Sequence, residues 1–258
     1  MASVSVTFDC SDPNQRSEGL ARAQSTLAAG QCVVIPTDTV YGIAADAFNP
    51  RAVAGLLAAK GRGRSMPPPV LIPRQQTMDG LATDISPEAR LLAEAFWPGG
   101  LTLICHAQPS LSWDLGDTFG TVALRMPNDR LALDLLILTG PLAVSSANRT
   151  GNPAAVTAAD ALEQLGESVD VYLEDGQRSH DAGASTIVDT TGDLPLVVRE
   201  GVISFEELRK VAPGVVLATE PPAAPSNADE AATTERPNED SAVRNDDAGA
   251  PLPPQGSD

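Results

Sequence analysis

Two short polar segments carry the side chains of this sequence that are best suited to chemistry. The first is Thr-Asp-Thr at residues 37–39, which follows residues 33–35, a β-branched apolar run that predicts a buried strand. The second is Lys60 and Arg62, which follow the small apolar residues 52–59, a predicted helix. Ligand sites of open α/β sheets lie where strands end, and a close pair of cations suits a phosphate or a carboxylate. The two segments therefore predict a pocket for a small polar substrate beside an anion.

Each segment also has a purely structural explanation. Asp and Thr bond their own backbone in ordinary turns, so residues 37–39 could form such a turn. Lys60 and Arg62 could complement the negative end of the helix that precedes them. The order of the two segments along the chain favours the pocket.

More polar residues stand at the ends of other predicted strands. They are Thr121, Arg125, Ser146, Asn148, Ser185, Thr186 and Arg199. The ends of strands in one sheet can converge on one crevice. Several cations there suit a triphosphate plus a carboxylate, because Arg binds either group bidentately. Ser146 and Asn148 fit a phosphate or a ribose, or else form a strand-end turn.

Several common catalytic signatures are absent from the sequence. It contains no G-x-x-x-x-G-K-[ST] loop, no G-x-G-x-x-G, no H-E-x-x-H and no G-x-S-x-G. His106 and His180 are the only histidines, so acid–base or metal chemistry through His is poorly supported. Cys10, Cys32 and Cys105 are odd in number and widely spaced, which excludes a disulfide framework and a zinc site.

The composition narrows the class of protein further. A net charge of −17 argues against broad electrostatic capture of nucleic acid or of an anionic membrane. Aromatic residues make up only 3%, so the core must be mainly aliphatic. No signal peptide is evident, and no apolar run approaches the roughly 18 residues of a membrane span. We therefore expect a cytoplasmic protein that does not enter the membrane.

The pattern of elements predicts one α/β domain. Strands alternate with helices along most of the chain, and several strand-to-strand connections are too short for a helix, which favours a mixed sheet. We expect an N-terminal strand or arm over residues 1–14 and a catalytic domain over residues 15–213. Residues 219–258 are acidic, rich in Pro and Ala and poor in large apolar residues, which predicts a disordered tail.

A few local predictions bear on the site. Gly42 is expected to let the backbone turn tightly or approach a ligand closely. Asn128 is expected to cap a helix that runs to about Leu138. Thr157 and Ser204 each begin a capping-box pattern, so each is expected to start a helix.

Taken together, these segments resemble the YrdC-like threonylcarbamoyl-AMP synthase family in its short, single-domain form. The resemblance covers about residues 15–211. The matching segments occur in the family's order: Pro36-Thr-Asp-Thr-Val-Tyr-Gly42, Lys60-Gly-Arg62, Trp97-Pro-Gly-Gly-Leu-Thr102, Thr121-Val-Ala-Leu-Arg-Met-Pro127, Ser146-Ala-Asn148, Ser185-Thr-Ile-Val188 and Arg199.

The resemblance implies a fold and an activity. The implied fold is a twisted mixed sheet of parallel and antiparallel strands, flanked by helices, with a large cationic cavity. The implied reaction converts L-threonine, bicarbonate and ATP into threonylcarbamoyl-AMP and pyrophosphate, with Mg²⁺ as the expected metal. The product would pass to a separate tRNA threonylcarbamoyltransferase complex, which modifies the adenosine beside the anticodon. Weak tRNA binding is also expected.

The resemblance also implies roles for individual residues. ATP-binding roles fall on Lys60, Arg62, Thr121, Ser146, Asn148 and Arg199. Threonine-binding roles fall on Thr39, Arg125, Val144 (through its backbone) and Ser185. Lys60 and Arg62 are the expected catalytic residues, because the reaction needs positioning and charge neutralisation more than a side-chain nucleophile. No metal ligand from the protein is expected.

The chain departs from the family pattern after Arg62. Relatives commonly have Asn-Pro-Leu-Ile-Val-His there, and Met66 and Leu71 stand in place of the Asn and the His. Arg64 is expected to supply some of the lost phosphate contact.

Two other functions fit the same pattern less well. One is a non-enzymatic module of this fold that binds double-stranded RNA or tRNA, which the acidic body and the scarcity of stacking aromatics oppose. The other is carbamoyl-adenylate formation inside a larger maturation enzyme, and no accompanying zinc-finger or acylphosphatase-like segment occurs here.

Overall fold

The computed structural model describes residues 5–179 and 183–218. The strands are β1 Val6–Asp9, β2 Val33–Ile35, β3 Gly42–Asp46, β4 Val70–Leu71, β5 Ala82–Thr83, β6 Leu101–Ala107, β7 Thr121–Arg125, β8 Leu142–Ser146, β9 Val171–Glu174, β10 Thr186–Asp189, β11 Leu196–Arg199 and β12 Val216–Leu217. The helices are α1 Pro13–Ala28, α2 Pro50–Ala59, α3 Met78–Leu81, α4 Pro87–Phe96, α5 Arg130–Thr139, α6 Ala158–Leu165 and α7 Phe205–Val211.

All these strands belong to one mixed sheet. Its order is β1-β9-β2-β3-β8-β4-β7-β6-β10-β11-β12, and β5 pairs with β6 outside that path. The pairs β2·β9, β4·β7 and β6·β10 are parallel, whereas β2·β3, β3·β8 and β6·β7 are antiparallel. The prediction of a mixed sheet is therefore confirmed. Because the order does not follow the sequence, strands that are distant along the chain become neighbours.

Helices cover both faces of the sheet and bury an aliphatic core on each. On one face α1 and α5 pack against the sheet through residues such as Leu27 and Leu135. On the other face α2, α4, α6 and α7 contribute residues such as Leu56 and Leu92. The aromatic Tyr41 is an exception, because it is fully buried and bonded through its hydroxyl. The core thus has the aliphatic character that the composition predicts.

Two of the three helix caps predicted from the sequence form as expected. Both capping boxes form, at Thr157 and at Ser204. The exception is α5, which Asp129 caps instead of Asn128, so that prediction was wrong. Asp129 Oδ1 accepts the Ala132 backbone N–H at 2.9 Å. The helix begins at Arg130, one residue later than the pattern indicated, so the side chain that can reach this donor belongs to Asp129.

Gly42 begins strand β3 and does not form a turn. It pairs with Ile35 of β2 and with Ser146 of β8. The close approach to a ligand stays a prediction, but the sheet itself is tight here, because a Cβ added at Gly42 would lie 2.6 Å from Val144 Cγ1. Only glycine leaves room for that side chain, so β3 and β8 can run side by side at the site.

Some predictions fall on residues that the structure does not describe. They are the first part of the N-terminal arm, residues 1–4, His180, and the tail at residues 219–258. Within the described ranges, no helix combines the length and apolar character that crossing a membrane requires.

Candidate active site

A cavity of about 630 Å³ lies where the ends of the central strands meet. Its walls come from the segment after β2, the start of β3, the residues around β4, the facing parts of β6 and β7, the end of β8 and the start of β10. Pockets that enclose small-molecule ligands measure about 300–1,000 Å³. The volume of this cavity therefore falls within the range that small-molecule binding sites have.

The structure brings most of the predicted site residues into the lining of this cavity. They are Thr39, Arg62, Thr121, Arg125, Val144, Ser146, Ser185 and Arg199. The lining also includes Thr37, from the first polar segment, and the hydroxyl side chains of Thr102 and Ser145, to which the sequence assigned no role. Lys60 and Asn148 lie beside the cavity but outside its lining.

The charged side chains in this lining are all cationic. Arg62, Arg125 and Arg199 line the cavity, and no Asp or Glu of the described residues does so. Burial lowers the pKa of all three guanidinium groups from the ordinary value of 12.5. Arginine nevertheless stays protonated in proteins. Fixed positive charges along the wall of a cavity favour an anionic ligand.

Arg125 is held rigidly at the end of β7. It donates from Nε to the Gly99 carbonyl at 3.0 Å, from Nη1 to Thr39 Oγ1 at 3.1 Å and from Nη2 to Asp38 Oδ1 at 2.7 Å. Its side chain is only 8% exposed. The ion pair with Asp38 offsets part of the charge, so Arg125 both contributes to the cavity and fixes Thr39 within it.

Arg199 and Ser185 form a second fixed group at the β10–β11 side. Arg199 donates from Nε and Nη2 to the Ser185 carbonyl at 3.1 and 2.8 Å, and from Nη2 to Ser185 Oγ at 3.1 Å. Thr102 Oγ1 also donates to Ser185 Oγ, at 3.0 Å. A hydroxyl with these partners is oriented before any ligand arrives, which lowers the entropy lost on binding.

Arg62 retains unused donor capacity. Its Nη1 donates to Ser145 Oγ at 3.2 Å. Its Nε is buried and has no hydrogen-bond partner among the described residues. A buried donor without a partner costs about 1–3 kcal/mol. An oxyanion bound beside Arg62 would relieve that cost.

Lys60 is completely buried and holds the loop that follows β8. Its Nζ donates to the Ser146 carbonyl, to the Asn148 carbonyl at 2.7 Å and to Asn148 Oδ1 at 3.3 Å. Its backbone carbonyl accepts the Thr150 N–H at 2.9 Å. Burial, with a smaller effect of nearby Arg62, lowers the pKa of Lys60 to about 8. The ammonium therefore holds the backbone at Ser146, which lines the cavity, and at Asn148, two residues further along the chain.

Asn148 belongs to the same loop. Its Nδ2 donates to the carbonyls of Arg149 and Asn152 at 2.9 and 2.8 Å. With its Oδ1 near Lys60, the whole side chain is used inside the loop. Asn148 thus shapes the turn after Ser146 and does not face the cavity.

The residues that depart from the family pattern take three different positions. Arg64 pairs with Asp114 at 2.8 Å and with Asp117 at 3.4 Å and lies outside the cavity lining, and the phosphate contact expected of it stays a prediction. Met66 is half-exposed and outside the lining. Leu71 is buried in the cavity wall, where it pairs with Arg125 in the sheet. An apolar side chain therefore stands beside the cationic end of β7.

One residue that is bonded to the cavity lining, Arg178, was not predicted from the sequence. Arg178 lies outside the lining but donates from Nε to the carbonyl of Thr37, which does line the cavity, at 2.8 Å. No local pattern marks Arg178, because two of its partners, Thr37 and Asp129, lie 141 and 49 residues away.

Comparisons with known proteins agree with this arrangement. The Sua5/YciO/YrdC family, described as telomere recombination, matches residues 25–201. A Mycobacterium tuberculosis protein, whose name assigns threonylcarbamoyl-AMP synthase activity only provisionally, is 54% identical over 208 residues, covering 81% of this chain and 95% of that protein. The Pyrococcus abyssi threonylcarbamoyl-AMP synthase is 34% identical over 190 residues, covering 73% of this chain and 56% of that protein.

A solved structure shares the fold. P. abyssi Sua5 in complex with L-threonine superposes with a TM-score of 0.74 at 30% identity and covers 83% of this chain. The present chain spans 62% of the length of that archaeal chain.

Proposed function

The chain belongs to the Sua5/YciO/YrdC family, and from this premise we propose that it is an L-threonylcarbamoyladenylate synthase. It condenses L-threonine, bicarbonate and ATP into threonylcarbamoyl-AMP and pyrophosphate. The observation that carries this proposal is the lining of the cavity, in which Arg62, Arg125 and Arg199 stand without a carboxylate among the described residues. Such a lining suits a triphosphate together with an amino-acid carboxylate.

The chemistry proceeds in two steps. The threonine amine attacks the carbon of bicarbonate, a C–N bond forms, water leaves, and the product is a carbamate. A carbamate oxygen then attacks the α-phosphorus of ATP, the bond from that phosphorus to the bridging oxygen breaks, and pyrophosphate leaves. Neither step needs a nucleophile from the protein. Catalysis consists of holding the reactants in line and neutralising charge on the phosphates.

We assign the amino acid to the end of the cavity near Arg125. The cavity lining supplies three fixed polar groups for it: the Thr39 hydroxyl, the Val144 backbone and the Ser185 hydroxyl. Arg125 donates to Thr39, and Thr102 donates to Ser185. The threonine carboxylate is an anion, and a cationic wall offsets the cost of removing it from water.

We assign ATP to the side where Arg62, Thr121, Ser146 and Arg199 line the cavity. Arg62 is the proposed catalytic residue because its buried Nε still needs an acceptor, and a phosphate oxygen can supply one. Lys60 and Asn148 remain assigned to ATP binding, but they act by holding the end of β8, where Ser146 lies, and the loop that follows it.

Mg²⁺ would enter with the nucleotide. Among residues 5–179 and 183–218, no group of three or more His, Cys, Asp or Glu side chains is placed to hold a metal ion. Phosphate oxygens are suitable ligands for Mg²⁺, which usually keeps several waters as well. The triphosphate is therefore the proposed carrier of the ion.

The product is an activated carbamate, and it requires an acceptor. We propose that a separate tRNA threonylcarbamoyltransferase complex in the cytoplasm receives it and modifies the adenosine beside the anticodon. Direct contact of this chain with tRNA is proposed to be weak, because a chain with a net charge of −17 repels polyanions. The alternative of a pure RNA-binding module is not favoured.

One incubation tests the proposal. The purified chain is mixed with ATP, bicarbonate and L-threonine, pyrophosphate is assayed, and the adenylate is detected by mass spectrometry. Omission of threonine, and its replacement by serine, are the matched controls. Threonine-dependent pyrophosphate release together with the adenylate supports the synthase. Absence of both products, with ATP bound, contradicts it.

A further inference from the structure

We propose that Arg178 is a positioning residue that sets the geometry of the amino-acid end of the cavity by acting through Thr37. This inference rests on the proposed function, because it concerns where the amino acid binds. Arg178 itself is absent from the described lining.

The guanidinium of Arg178 joins separate parts of the chain. It donates from Nε to the Thr37 carbonyl at 2.8 Å, from Nη1 to the Asp175 carbonyl at 2.9 Å and from Nη2 to Asp129 Oδ2 at 2.6 Å. Its side chain is 17% exposed, and that of Asp129 is 8% exposed. Each nitrogen of this planar group donates to a different acceptor, so the guanidinium has little rotational freedom. It therefore fixes its partners relative to one another.

Thr37 transmits this constraint to the cavity. Its hydroxyl donates to the Val40 carbonyl at 2.6 Å and lies 3.1 Å from the hydroxyl of Thr39. The Thr39 N–H also donates to Thr37 Oγ1, at 3.2 Å. Thr39 Oγ1 in turn accepts from Arg125 Nη1 at 3.1 Å. A continuous series of hydrogen bonds therefore runs from Arg178 to the cationic wall assigned to the amino acid.

A second connection holds the same two segments together. The Tyr41 hydroxyl lies 2.8 Å from each of two acceptors, Glu174 Oε1 and the Gly176 carbonyl. It also accepts the Asp175 N–H at 3.0 Å. The Arg178 guanidinium lies over the Tyr41 ring, 5.6 Å from its centroid. Residues 174–178 and 37–41 thus behave as one unit on this side of the cavity.

The ion pair between Arg178 and Asp129 connects α5 to residues 37–41 and 174–178. Asp129 caps α5 through Oδ1 and receives Arg178 through Oδ2. Removal of the cation leaves a buried carboxylate without its partner, which destabilises the fold in addition to any effect on the site. A test must separate these two consequences.

Three variants separate them. Arg178→Met removes the charge and all three hydrogen bonds, whereas Arg178→Lys keeps the charge but not the planar set of donors. Arg178→Met combined with Asp129→Asn also removes the unpaired carboxylate, while the Asn oxygen can still cap α5. Arg16→Met is the matched control, because Arg16 of α1 pairs at 2.9 Å with Asp134 of α5, the helix that Asp129 caps, and lies outside the cavity lining.

The measurements are the KM for threonine, the KM for ATP and the melting temperature. Loss of a hydrogen bond from a charged group that orders the site should raise KM by about tenfold or more. We expect Arg178→Met to raise the KM for threonine by that factor and to leave the KM for ATP within about twofold. Arg178→Lys should recover part of the loss. The double variant should regain melting temperature but not the KM for threonine, and Arg16→Met should change neither KM.

Other outcomes overturn the inference. If Arg178→Met melts lower but keeps the KM for threonine, or if both KM values rise equally, Arg178 has only a structural role. A wild-type chain without threonine-dependent pyrophosphate release would instead overturn the proposed function. Amide hydrogen exchange at Thr39 and Val40 then decides the positioning claim, because exchange rises in Arg178→Met only if Arg178 holds this segment.

Discussion

Replacing Lys60 by Met gives the sharpest test of how the site is built. The substitution removes the ammonium but keeps most of the buried stem. The carbonyls of Ser146 and Asn148 then lose the donor they share. The loop after β8 loses its side-chain attachment to the end of α2 but keeps the bond from the Thr150 N–H to the Lys60 carbonyl, and the guanidinium groups that line the cavity remain.

The expected change in stability is moderate. Each buried carbonyl left without a donor costs about 1–3 kcal/mol. Removal of the ammonium also removes the cost of burying a charge, which the fall in the pKa of Lys60 from 10.5 to about 8 measures. At 1.36 kcal/mol per pKa unit, that cost is about 3 kcal/mol. The two effects largely offset each other, so the net loss should not exceed about 3 kcal/mol.

The expected change in activity is much larger. A shift of about 1 Å in a positioning element lowers the rate by about a hundredfold. Ser146 lines the cavity at the end of β8, and its carbonyl accepts from Lys60, so Lys60→Met should lower kcat/KM by about that factor while the protein stays folded.

Steady-state pyrophosphate release and thermal unfolding measure the two quantities. The chain has only one other lysine, Lys210, which is exposed near the end of α7, so Lys210→Met is a matched control. The control should keep wild-type turnover. A Lys60→Met variant with turnover near that of the wild type would refute the reasoning, and so would one whose loss of activity follows entirely from unfolding.

Further predictions concern the cavity, the backbone and pH. Arg62→Ala should lower turnover in the pyrophosphate assay by about a hundredfold or more, the scale of losing one charge-stabilising contact, and near-normal turnover would contradict its role. Gly201→Ala should lower the melting temperature by several degrees, because its Cβ would lie 2.1 Å from the Ala184 carbonyl oxygen. Gly55→Ala, with nothing within 4 Å, should instead raise it. NMR titration of lysine side chains should show Lys60 losing its proton near pH 8. The unfolded chain keeps that proton to about pH 10, so wild-type stability should rise relative to Lys60→Met between these pH values, and a flat difference would contradict the shift.

Local signals in the sequence account for most of the elements. A β-branched run such as residues 33–35 has few alternatives to a buried strand, and the capping boxes at Thr157 and Ser204 satisfy helix donors by themselves. Strand β3 was missed because Gly-Ile-Ala-Ala-Asp has little strand propensity. It forms because β2 and β8 pair with it on both sides.

The membership of the site was easier to predict than the direction of its side chains. Polar residues at strand ends converge because the sheet brings those ends together, so Arg125, Ser185 and Arg199 meet as expected. The direction of Lys60 depends on backbone carbonyls 86 and 88 residues away. The partner of Arg178 lies 49 residues away, and no periodicity in the sequence encodes such a pair.

The order of strands in the sheet has a consequence for how the protein acquires its activity. The cavity walls come from segments that are separated by most of the domain and meet only through non-sequential pairing. Partly folded chains therefore lack the binding site, and contacts of this long range form slowly. A nucleotide that binds only the complete sheet raises the free energy of global unfolding. If the proposed nucleotide site is correct, substrate binding would raise the equilibrium stability of the whole domain as well as support turnover.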